Sequence, residues 1–408
     1  MLPILVLIAP TAEAAAENLL ISASGFLLLL LQLPAFAIAL SRIIRGALRY
    51  PPLQPQQPQV TDLGQVSVVV PTLNEAERIS PCLEGLSRQS YEVREVIVVD
   101  SYSEDGTPDQ VKATAVRDPR FRLINDPPLP VDWVGRPWAL HNGFLASSSK
   151  SEWILGIDAD TQPQPGLVAS LIHTAHAGGY DLITLSPRFI LRYPGELLLQ
   201  PALLMTLLYR FGAAGERGNR PERVMANGQC FFCRRSQLAA VGGYAPARRS
   251  FCDDVTLARY LAATGATVGF LDGANLLKVR MYEGAAETWR EWGRSLDLKD
   301  AATPAQTWGD VGLLLAVQFC PLWVVLWLLP GVIAYSLTPV TSLLFGLNLG
   351  WLLIRCLLNG AILFSYDLSQ AHHAWLFWLS PLTDPLAALR ILLSALQTPK
   401  QWRGRSYR

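Results

Sequence analysis

Long apolar runs near both ends of the chain predict membrane-spanning helices. Residues 19–40 form an uncharged run of 22 residues, and about 20 apolar residues are enough to cross a bilayer. Two further apolar runs, at 311–337 and 340–364, lie toward the other end of the chain. Only two residues separate them, so we expect a helical hairpin that returns the chain to the side from which it came.

Arginines at positions 42, 45 and 49 follow the first apolar run. Basic residues flank membrane spans on the cytoplasmic side, so this pattern places the following domain in the cytoplasm. A cleaved signal peptide is the alternative, but the run is longer than a signal-peptide core and lacks a basic stretch before it. We therefore expect residues 1–50 to form an anchor, followed by an extended Pro- and Gln-rich linker at 51–64.

A fourth apolar segment, 374–396, contains two prolines together with Asp384 and Arg390. If this segment crossed the bilayer, the basic tail after it would lie outside, against the charge rule. We therefore predict a re-entrant or interfacial segment within a membrane region spanning 301–408. Arg355, inside the preceding apolar run, is a functional residue, a partner of Asp384, or a side chain that snorkels to the membrane surface.

Between these ends, short apolar strands alternate with helix-length segments over residues 65–300. This alternation predicts an α/β fold with a mostly parallel sheet covered by helices on both faces. The strands that we predict are 66–70, 96–99, 153–157, 181–186 and 225–234. Ligands collect beyond the carboxyl ends of such strands. We therefore expect the turns at 72–75, 100–107 and 158–161 to share one crevice.

Several helices are predicted inside this domain. One covers 75–88, and another begins at Pro108 with Thr107 as its cap. A third, at 193–211, is amphipathic. It either packs in the core, rests on the membrane surface or forms one wall of an acceptor cleft.

Asp158 and Asp160 follow the predicted strand at 153–157, with one alanine between them. The period of two in extended chain places both carboxylates on one side of the backbone. Such a pair suits Mg²⁺ or Mn²⁺ carrying a diphosphate, because these ions are held by one or two carboxylates together with substrate phosphates. On these residues alone, a polar turn without a metal is the favoured explanation.

Other polar residues at element ends are candidates for a site. Arg136 opens a predicted helix, where it either holds phosphate oxygens or is an ordinary surface arginine. Asp253 and Asp254 open another helix, where the helix dipole favours acidic residues. Alternatively, one of them accepts a proton from an acceptor hydroxyl. Asn227 and Gly228 would let a ligand approach the backbone closely.

Composition narrows the class of protein. The chain has 408 residues, half of them apolar, and a formal net charge of +1. This balance argues against a nucleic-acid partner that depends on a basic field. The six cysteines are scattered, and Cys230 and Cys233 form a single CxxC pair. We expect buried thiols there rather than a zinc or redox centre.

Residues from about 65 to 300 resemble the family 2 glycosyltransferases, which have the GT-A fold. The resemblance is carried by these motifs in order: VVVPTLNEAERI, VIVVDSYSEDGT, GRPWALHNG, ILGIDADT, NGQCFFCRR with VGGY, and DDVTLARYL. Family members are inverting, metal-dependent and use nucleotide-sugar donors. The resemblance implies that Thr72, Glu75 and Asp100 line the nucleoside pocket. It further implies that Asp158 lies near the ribose and that Asp160 coordinates a divalent metal.

By the same resemblance, Asp254 is the catalytic base. Arg136 stands where one branch of the family carries lysine, and it joins the donor-binding set. The family's Gln/Arg-x-x-Arg-Trp element is absent in that form, so its donor-binding role is carried to Arg294. Acceptor contacts are expected from Asn227, Gly228, Asp253 and Trp292.

The anchor, the GRPWAL motif and the C-terminal apolar segments look similar to the branch that contains ceramide glucosyltransferases and hopanoid-associated enzymes. The stretch WGRSLDLKD is similar to cyanobacterial carotenoid 2′-O-glycosyltransferases. These resemblances imply transfer to a hydroxyl of a membrane isoprenoid, with ceramide-like, hopanoid or glycerolipid acceptors as alternatives. One competing hypothesis is another kind of enzyme, a processive polymer synthase. A second competing hypothesis is a protein of a different class, a non-catalytic scaffold or lipid transporter.

Overall fold

The computed structural model describes residues 12–216, 221–295, 298–397, 401–402 and 405–406. Only the backbone is described at 12–20, 294–295, 401–402 and 405–406. The described chain forms an α/β domain beside a group of long apolar helices that come from both ends of the chain.

A seven-stranded sheet forms the centre of the α/β domain, in the spatial order β3-β2-β1-β4-β8-β6-β9. Its strands are β1 (Val66–Thr72), β2 (Val93–Asp100), β3 (Phe121–Asn125), β4 (Trp153–Gly156), β6 (Leu182–Ser186), β8 (Phe231–Arg234) and β9 (Val268–Asp272). Strand β8 runs antiparallel to both neighbours, whereas the other pairings are parallel. The prediction of a mostly parallel GT-A sheet is confirmed.

Helices cover both faces of this sheet. They are α2 (Ser80–Ser87), α3 (Thr107–Arg117), α4 (Gly135–Ala146), α5 (Leu167–Gly178), α7 (Arg235–Ala240) and α8 (Asp253–Ala263). Two further helices, α6 (Pro194–Phe211) and α9 (Gly284–Ser295), pack mainly against each other and against the apolar helices. Two separate apolar cores lie against the sheet. They include the fully buried Val68 on one side and Val69 on the other, as alternation along a strand requires.

A second sheet joins the membrane helices to this domain. It contains β5 (Thr161–Pro163), β7 (Arg188–Ile190), β10 (Leu277–Val279) and β11 (Tyr366–Asp367) in the order β11-β7-β10-β5. Strand β11 follows the long apolar segment that ends at residue 365, and its Asp367 accepts a hydrogen bond from Lys278 at 2.7 Å. The chain beyond residue 365 is therefore tied directly to the domain that precedes it.

Two local predictions at the helix starts are wrong. The helix expected at 75–88 begins only at Ser80. Pro81 lies in its first turn, where the missing N–H costs nothing. Thr107 is not a cap: Gly106 precedes α3 in the left-handed conformation at φ 88°. The Oγ1 atom of Thr107 instead accepts a hydrogen bond from the Glu75 backbone N–H at 2.9 Å.

Among the residues that the structure describes, four helical segments are long and apolar enough to span a membrane: 21–47, 304–333, 339–365 and 374–396. They contain α1 (Ala12–Ala47), α10 (Pro304–Leu314), a π-helical turn (Leu315–Phe319), α11 (Cys320–Ile333), α12 (Pro339–Ile362), a 3₁₀ segment (Ala374–Thr383) and α13 (Asp384–Leu396). Whether the broken segment 374–396 crosses the bilayer or lies at its surface stays a prediction.

A buried ion pair joins α12 to α13. Arg355 Nε donates to Asp384 Oδ2 at 2.8 Å, and its Nη2 donates to Oδ1 at 3.0 Å. The two side chains are only 1% and 5% exposed. A third donor of Arg355 reaches the Asn359 side chain. This bidentate geometry confirms the partner expected for Arg355 and accounts for a charge inside an apolar helix.

Removing one partner of this pair should destabilise the protein strongly. We expect Arg355→Met to reduce the free energy of unfolding by about 3–5 kcal/mol, because Asp384 is left buried without its counter-ion. The double variant Arg355→Met with Asp384→Leu should recover part of this loss. Thermal unfolding of the detergent-solubilised protein measures both effects. Equal midpoints for the parent and the single variant would show that the pair contributes nothing.

Helix α1 is packed against the rest of the protein along its length. Its Gln32 exchanges two side-chain hydrogen bonds of 2.9 Å with Asn348 of α12. Arg42 donates to the backbone carbonyl of Tyr209, and Arg49 pairs with Asp272 at 3.2 Å. Two of the three arginines that follow the first apolar run therefore also fix α1 to the α/β domain.

The Pro-rich stretch after α1 is extended, as expected, and it lies along the surface of the α/β domain. The Leu53 N–H donates to the Asp272 carbonyl at 2.9 Å, and the Gln56 N–H donates to Ser170 Oγ at 2.9 Å. These bonds hold the anchor and the domain at a short, fixed separation.

Candidate active site

The turns after β1 and β2 meet at one edge of the sheet. Thr72 is the register partner of Asp100 in the parallel pair. Its Oγ1 donates to Asp100 Oδ1 at 3.1 Å. The Ser103 N–H donates to Asp100 Oδ2 at 2.9 Å, and Asp100 is only 1% exposed. The Asp100 carboxylate thus orders the loop that follows β2.

Glu75 lies in the turn after β1, outside any helix, and its side chain is buried. The hydrogen bond from its backbone N–H to Thr107 joins this turn to the start of α3. Both turns border the same cavity as Asp158 and Asp160. The shared crevice expected from strand ends is therefore present.

Asp158 and Asp160 lie in a tight turn directly after β4. The Asp158 backbone carbonyl accepts a hydrogen bond from Thr161 Oγ1 at 2.7 Å, which closes the turn. Ala159 belongs to an apolar core and is 2% exposed. Both carboxylates border the cavity, as Ala159 also does.

The cavity has a volume of about 900 Å³, and its lining contains two chemically different sets of residues. The first set, called the acidic end below, is Glu75, Asp158, Asp160, Asp253 and Asp254. The second set, called the apolar end below, is Ile43 of α1, Leu204, Leu207, Leu208 and Phe211 of α6, and Leu358, Ala361 and Ile362 of α12. The helices that could span a membrane therefore form one wall of the cavity that contains the carboxylates.

Arg136 lies in the first turn of α4 and is surrounded by protein acceptors. Its Nε donates to Asp158 Oδ1 at 2.9 Å, and its Nη2 donates to the Gly228 carbonyl at 2.7 Å. Its Nη1 pairs with Asp253. Its guanidinium thus neutralises part of the negative charge at the acidic end of the cavity.

Asp253 and Asp254 occupy the first turn of α8, where the positive end of the helix dipole favours carboxylates. Burial raises the pKa of Asp253, and Arg136 opposes that shift. Burial, followed by the charge of Asp253, raises the pKa of Asp254 to about 6. Asp254 Oδ2 accepts a hydrogen bond from the Gly228 N–H at 2.6 Å. A carboxylate with this pKa is well matched to accepting a proton near neutral pH.

The residues expected to contact an acceptor also border this cavity. Asn227 exchanges hydrogen bonds with Gln229, at 3.1 Å between their side chains and 3.0 Å from the Gln229 N–H. Trp292 of α9 is buried and packs against the ring of Tyr282. Arg294 belongs to α9 by its backbone, but its side chain lies outside the described residues.

Sequence reasoning missed two parts of the site. Arg78 borders the cavity, pairs with Glu287 at 3.3 Å and is electrostatically coupled to Asp160 and Glu75. The motif VVVPTLNEAERI contains Arg78, but nothing in the sequence indicates that it points inward. The apolar wall from α1 and α12 was also missed, because residue 43 is far from residue 358 in the chain.

The acidic end of the cavity suits a divalent cation only together with further ligands. Within the part of the chain that the structure describes, no group of three or more His, Cys, Asp or Glu side chains could hold a metal by itself. Hard oxygen donors are nevertheless available from Asp158 and Asp160. Mg²⁺ and Mn²⁺ commonly take one or two carboxylates and complete their coordination with phosphate oxygens and water.

Residues 67–242 match a protein-family model described as glycosyl transferase family 2. A 4,4′-diaponeurosporenoate glycosyltransferase from Staphylococcus haemolyticus is 24% identical over 58% of this chain and 62% of its own length. An undecaprenyl-phosphate 4-deoxy-4-formamido-L-arabinose transferase from Yersinia pestis is 28% identical over 30% of this chain and 36% of its own length. The matches thus span less than two thirds of either relative.

A solved structure has the same overall fold. The mannosyltransferase PcManGT from Pyrobaculum calidifontis, in complex with GDP-Man and Mn²⁺, superimposes with a TM-score of 0.54 at 18% identity. The alignment covers 91% of this chain and 98% of that one. It therefore includes the apolar helices as well as the α/β domain.

Proposed function

We propose that this protein, whose residues 67–242 match the model for glycosyl transferase family 2, transfers a sugar from a nucleotide-sugar donor to a hydroxyl of a membrane lipid. One observation carries the proposal. A single cavity is bordered both by carboxylates that follow β4 and begin α8 and by apolar residues of α1 and α12. This arrangement would place the hydroxyl of an apolar acceptor beside the charged, hydrophilic nucleotide sugar.

The acidic end is assigned to the donor. Thr72, Glu75 and Asp100 would contact the nucleoside, and Asp158 would lie near the ribose. Asp160 would hold Mg²⁺ or Mn²⁺, an assignment that the Mn²⁺ of the PcManGT complex supports. When bound, such a cation offsets the negative charge that develops on the leaving diphosphate. Arg294 stays a predicted member of the donor-binding set.

Asp254 is assigned as the base. Its carboxylate takes the proton from the acceptor hydroxyl while the hydroxyl oxygen forms a bond to the anomeric carbon. The bond from that carbon to the nucleoside diphosphate breaks on the opposite face, so the configuration inverts. Asp253 is buried at the start of α8 and Asp254 is half-buried, so the access of bulk water to the proton transfer is limited.

The apolar end is assigned to the acceptor. We favour an isoprenoid such as a carotenoid, modified at a 2′-hydroxyl, because one relative is named for diaponeurosporenoate, a carotenoid acid, and another for undecaprenyl phosphate. Ceramide-like, hopanoid and glycerolipid acceptors present the same combination of a hydroxyl and an apolar body. The three arginines after the first apolar run support a catalytic domain on the cytoplasmic side of the membrane.

Purified protein in detergent should test this function directly. We expect metal-dependent release of nucleoside diphosphate from one member of a panel of nucleotide sugars. Adding the correct lipid should increase the release and yield a lipid heavier by one hexose or deoxyhexose, detected by mass spectrometry. Absence of both donor hydrolysis and transfer with every donor and lipid would favour a scaffold or lipid transporter instead.

A further inference from the structure

The peptide around Gly228 connects an arginine to the assigned base. Its carbonyl accepts a hydrogen bond from Arg136 Nη2 at 2.7 Å, and its N–H donates to Asp254 Oδ2 at 2.6 Å. The two bonds fix both ends of a single residue. The position of the Asp254 carboxylate is therefore linked to the position of the Arg136 guanidinium.

Close approach explains why residue 228 is glycine. A Cβ atom built on Gly228 would lie 2.4 Å from Arg136 Nη2 and 2.8 Å from its Cζ. Real Cβ atoms do not approach other heavy atoms so closely, so a larger residue would displace the guanidinium. The backbone φ of Gly228 does not itself demand glycine, since it is not among the left-handed residues.

Arg136 also spans two other elements. Its Nε holds Asp158 at the end of β4, and its Nη1 holds Asp253 at the start of α8. With Gly228, one buried side chain contacts the turn assigned to the donor and both segments that orient Asp254. A guanidinium can do this because its donors project from a rigid plane in several directions.

We propose that Arg136 and Gly228 form a positioning pair, which holds Asp254 in its proton-accepting orientation and couples it to the donor side of the cavity through Asp158. The inference rests on the proposed function. It gives Arg136 a role different from that of a direct phosphate ligand, which the sequence had suggested. It also gives a reason for glycine at position 228 that does not require contact with the acceptor.

Electrostatics supports this role. The ionisable groups that face the Asp253–Asp254 pair are Arg136 from α4, Asp158 from the turn after β4, and the buried Tyr244 hydroxyl. Arg136 lowers the pKa of Asp254 against the effects of burial and of Asp253. Loss of this cation should therefore raise the pKa of Asp254, and the base form should then disappear at a higher pH.

Three variants separate the effect of moving the Asp254 carboxylate from the effect of removing the Arg136 charge. Arg136→Gln should lower kcat by up to about 10²-fold, the cost of a misplaced catalytic group. It should also move the acid limb of the kcat profile to higher pH. Gly228→Ala should lower kcat but move that limb less than Arg136→Gln does, because the Arg136 charge is displaced and not removed. Arg136→Lys should return the acid limb to the pH found for the parent but recover only part of kcat. One ammonium group cannot replace the directed donors of a planar guanidinium.

The measurements are kcat and donor KM across pH, with the lipid acceptor saturating. Arg117→Gln, at an exposed position on α3, is the matched control and should behave like the parent. Cooperative thermal unfolding and retained metal-dependent nucleotide binding would show that each variant is folded. Arg136→Gln should unfold at a lower temperature than the parent, because Asp253 loses its counter-ion. These binding data also keep this test separate from the proposed function, whose failure would abolish transfer by the parent itself.

A different outcome would overturn the inference. If Arg136→Gln raises donor KM and the donor dissociation constant while kcat and its pH profile stay as in the parent, Arg136 is a phosphate ligand and not a positioning residue. A fully active Gly228→Ala variant would likewise show that the link from Arg136 to Asp254 has no role in turnover.

Discussion

Asp254→Asn should lower kcat by about 10²–10⁴-fold, the usual contribution of a general base. The substitution keeps the size of the side chain but removes the negative charge that accepts the proton. Donor affinity should change little, because Asp254 belongs to the first turn of α8 and not to the turns assigned to the nucleotide. Steady-state kinetics with a saturating lipid acceptor, together with nucleotide titration, measures the two effects separately.

The pH dependence of the parent enzyme follows from the same residue. The pKa of Asp254 is raised to about 6, so its carboxyl group retains a proton at a higher pH than an exposed aspartate does. The base form is lost as the pH falls through this value. We therefore expect kcat to decline below about pH 6.

The matched control is Asp109→Asn, which changes a carboxylate that is 83% exposed on α3. This variant should retain the activity of the parent. Parent-like turnover by Asp254→Asn, with an unchanged acid limb, would remove Asp254 from the mechanism and return the choice of base to the other carboxylates of the cavity.

Asp160→Asn should abolish the part of donor binding that depends on Mn²⁺ or Mg²⁺. The substitution removes one of the few hard, charged ligands that the protein offers. Loss of an outer-shell partner alone reduces metal affinity by about 10–100-fold, so loss of a ligand should cost at least as much. Calorimetric titration of the nucleotide sugar, with and without Mn²⁺, gives the comparison.

For this variant, donor affinity with Mn²⁺ should fall to the value measured without the metal. The Asp109→Asn control should retain the full metal effect. An equal gain in affinity from Mn²⁺ in Asp160→Asn and in the parent would show that the cation is held elsewhere, and Asp158 would then be the next ligand to test.

The meeting of the strand-end turns at one edge of the sheet could be predicted because it depends on local sequence. Thr72 and Asp100 each end an apolar strand, and parallel strands bring such ends to one edge. Asp158 and Asp160 were predicted to share a side because they are two residues apart near a strand. In each case a short pattern and a general rule about sheets were sufficient.

The connections across the site could not be predicted in this way. Arg136 looked like a surface or phosphate-binding arginine, because its contacts with Gly228 and Asp253 depend on how β4, α4 and α8 pack together. The prediction for the start of α3 was wrong for a related reason. Thr107 has the composition of a cap, but its hydroxyl is used by the backbone of Glu75, and a left-handed Gly106 precedes the helix instead.

The position of α1 has a practical consequence. Ile43, Gly46 and Ala47 border the cavity, so the first helix supplies part of the chamber in which the substrates would meet. A version trimmed to begin at residue 65 to improve solubility would open that chamber to solvent on one side. Such a fragment should still bind the nucleotide sugar, but it should transfer the sugar to water instead of to an apolar acceptor.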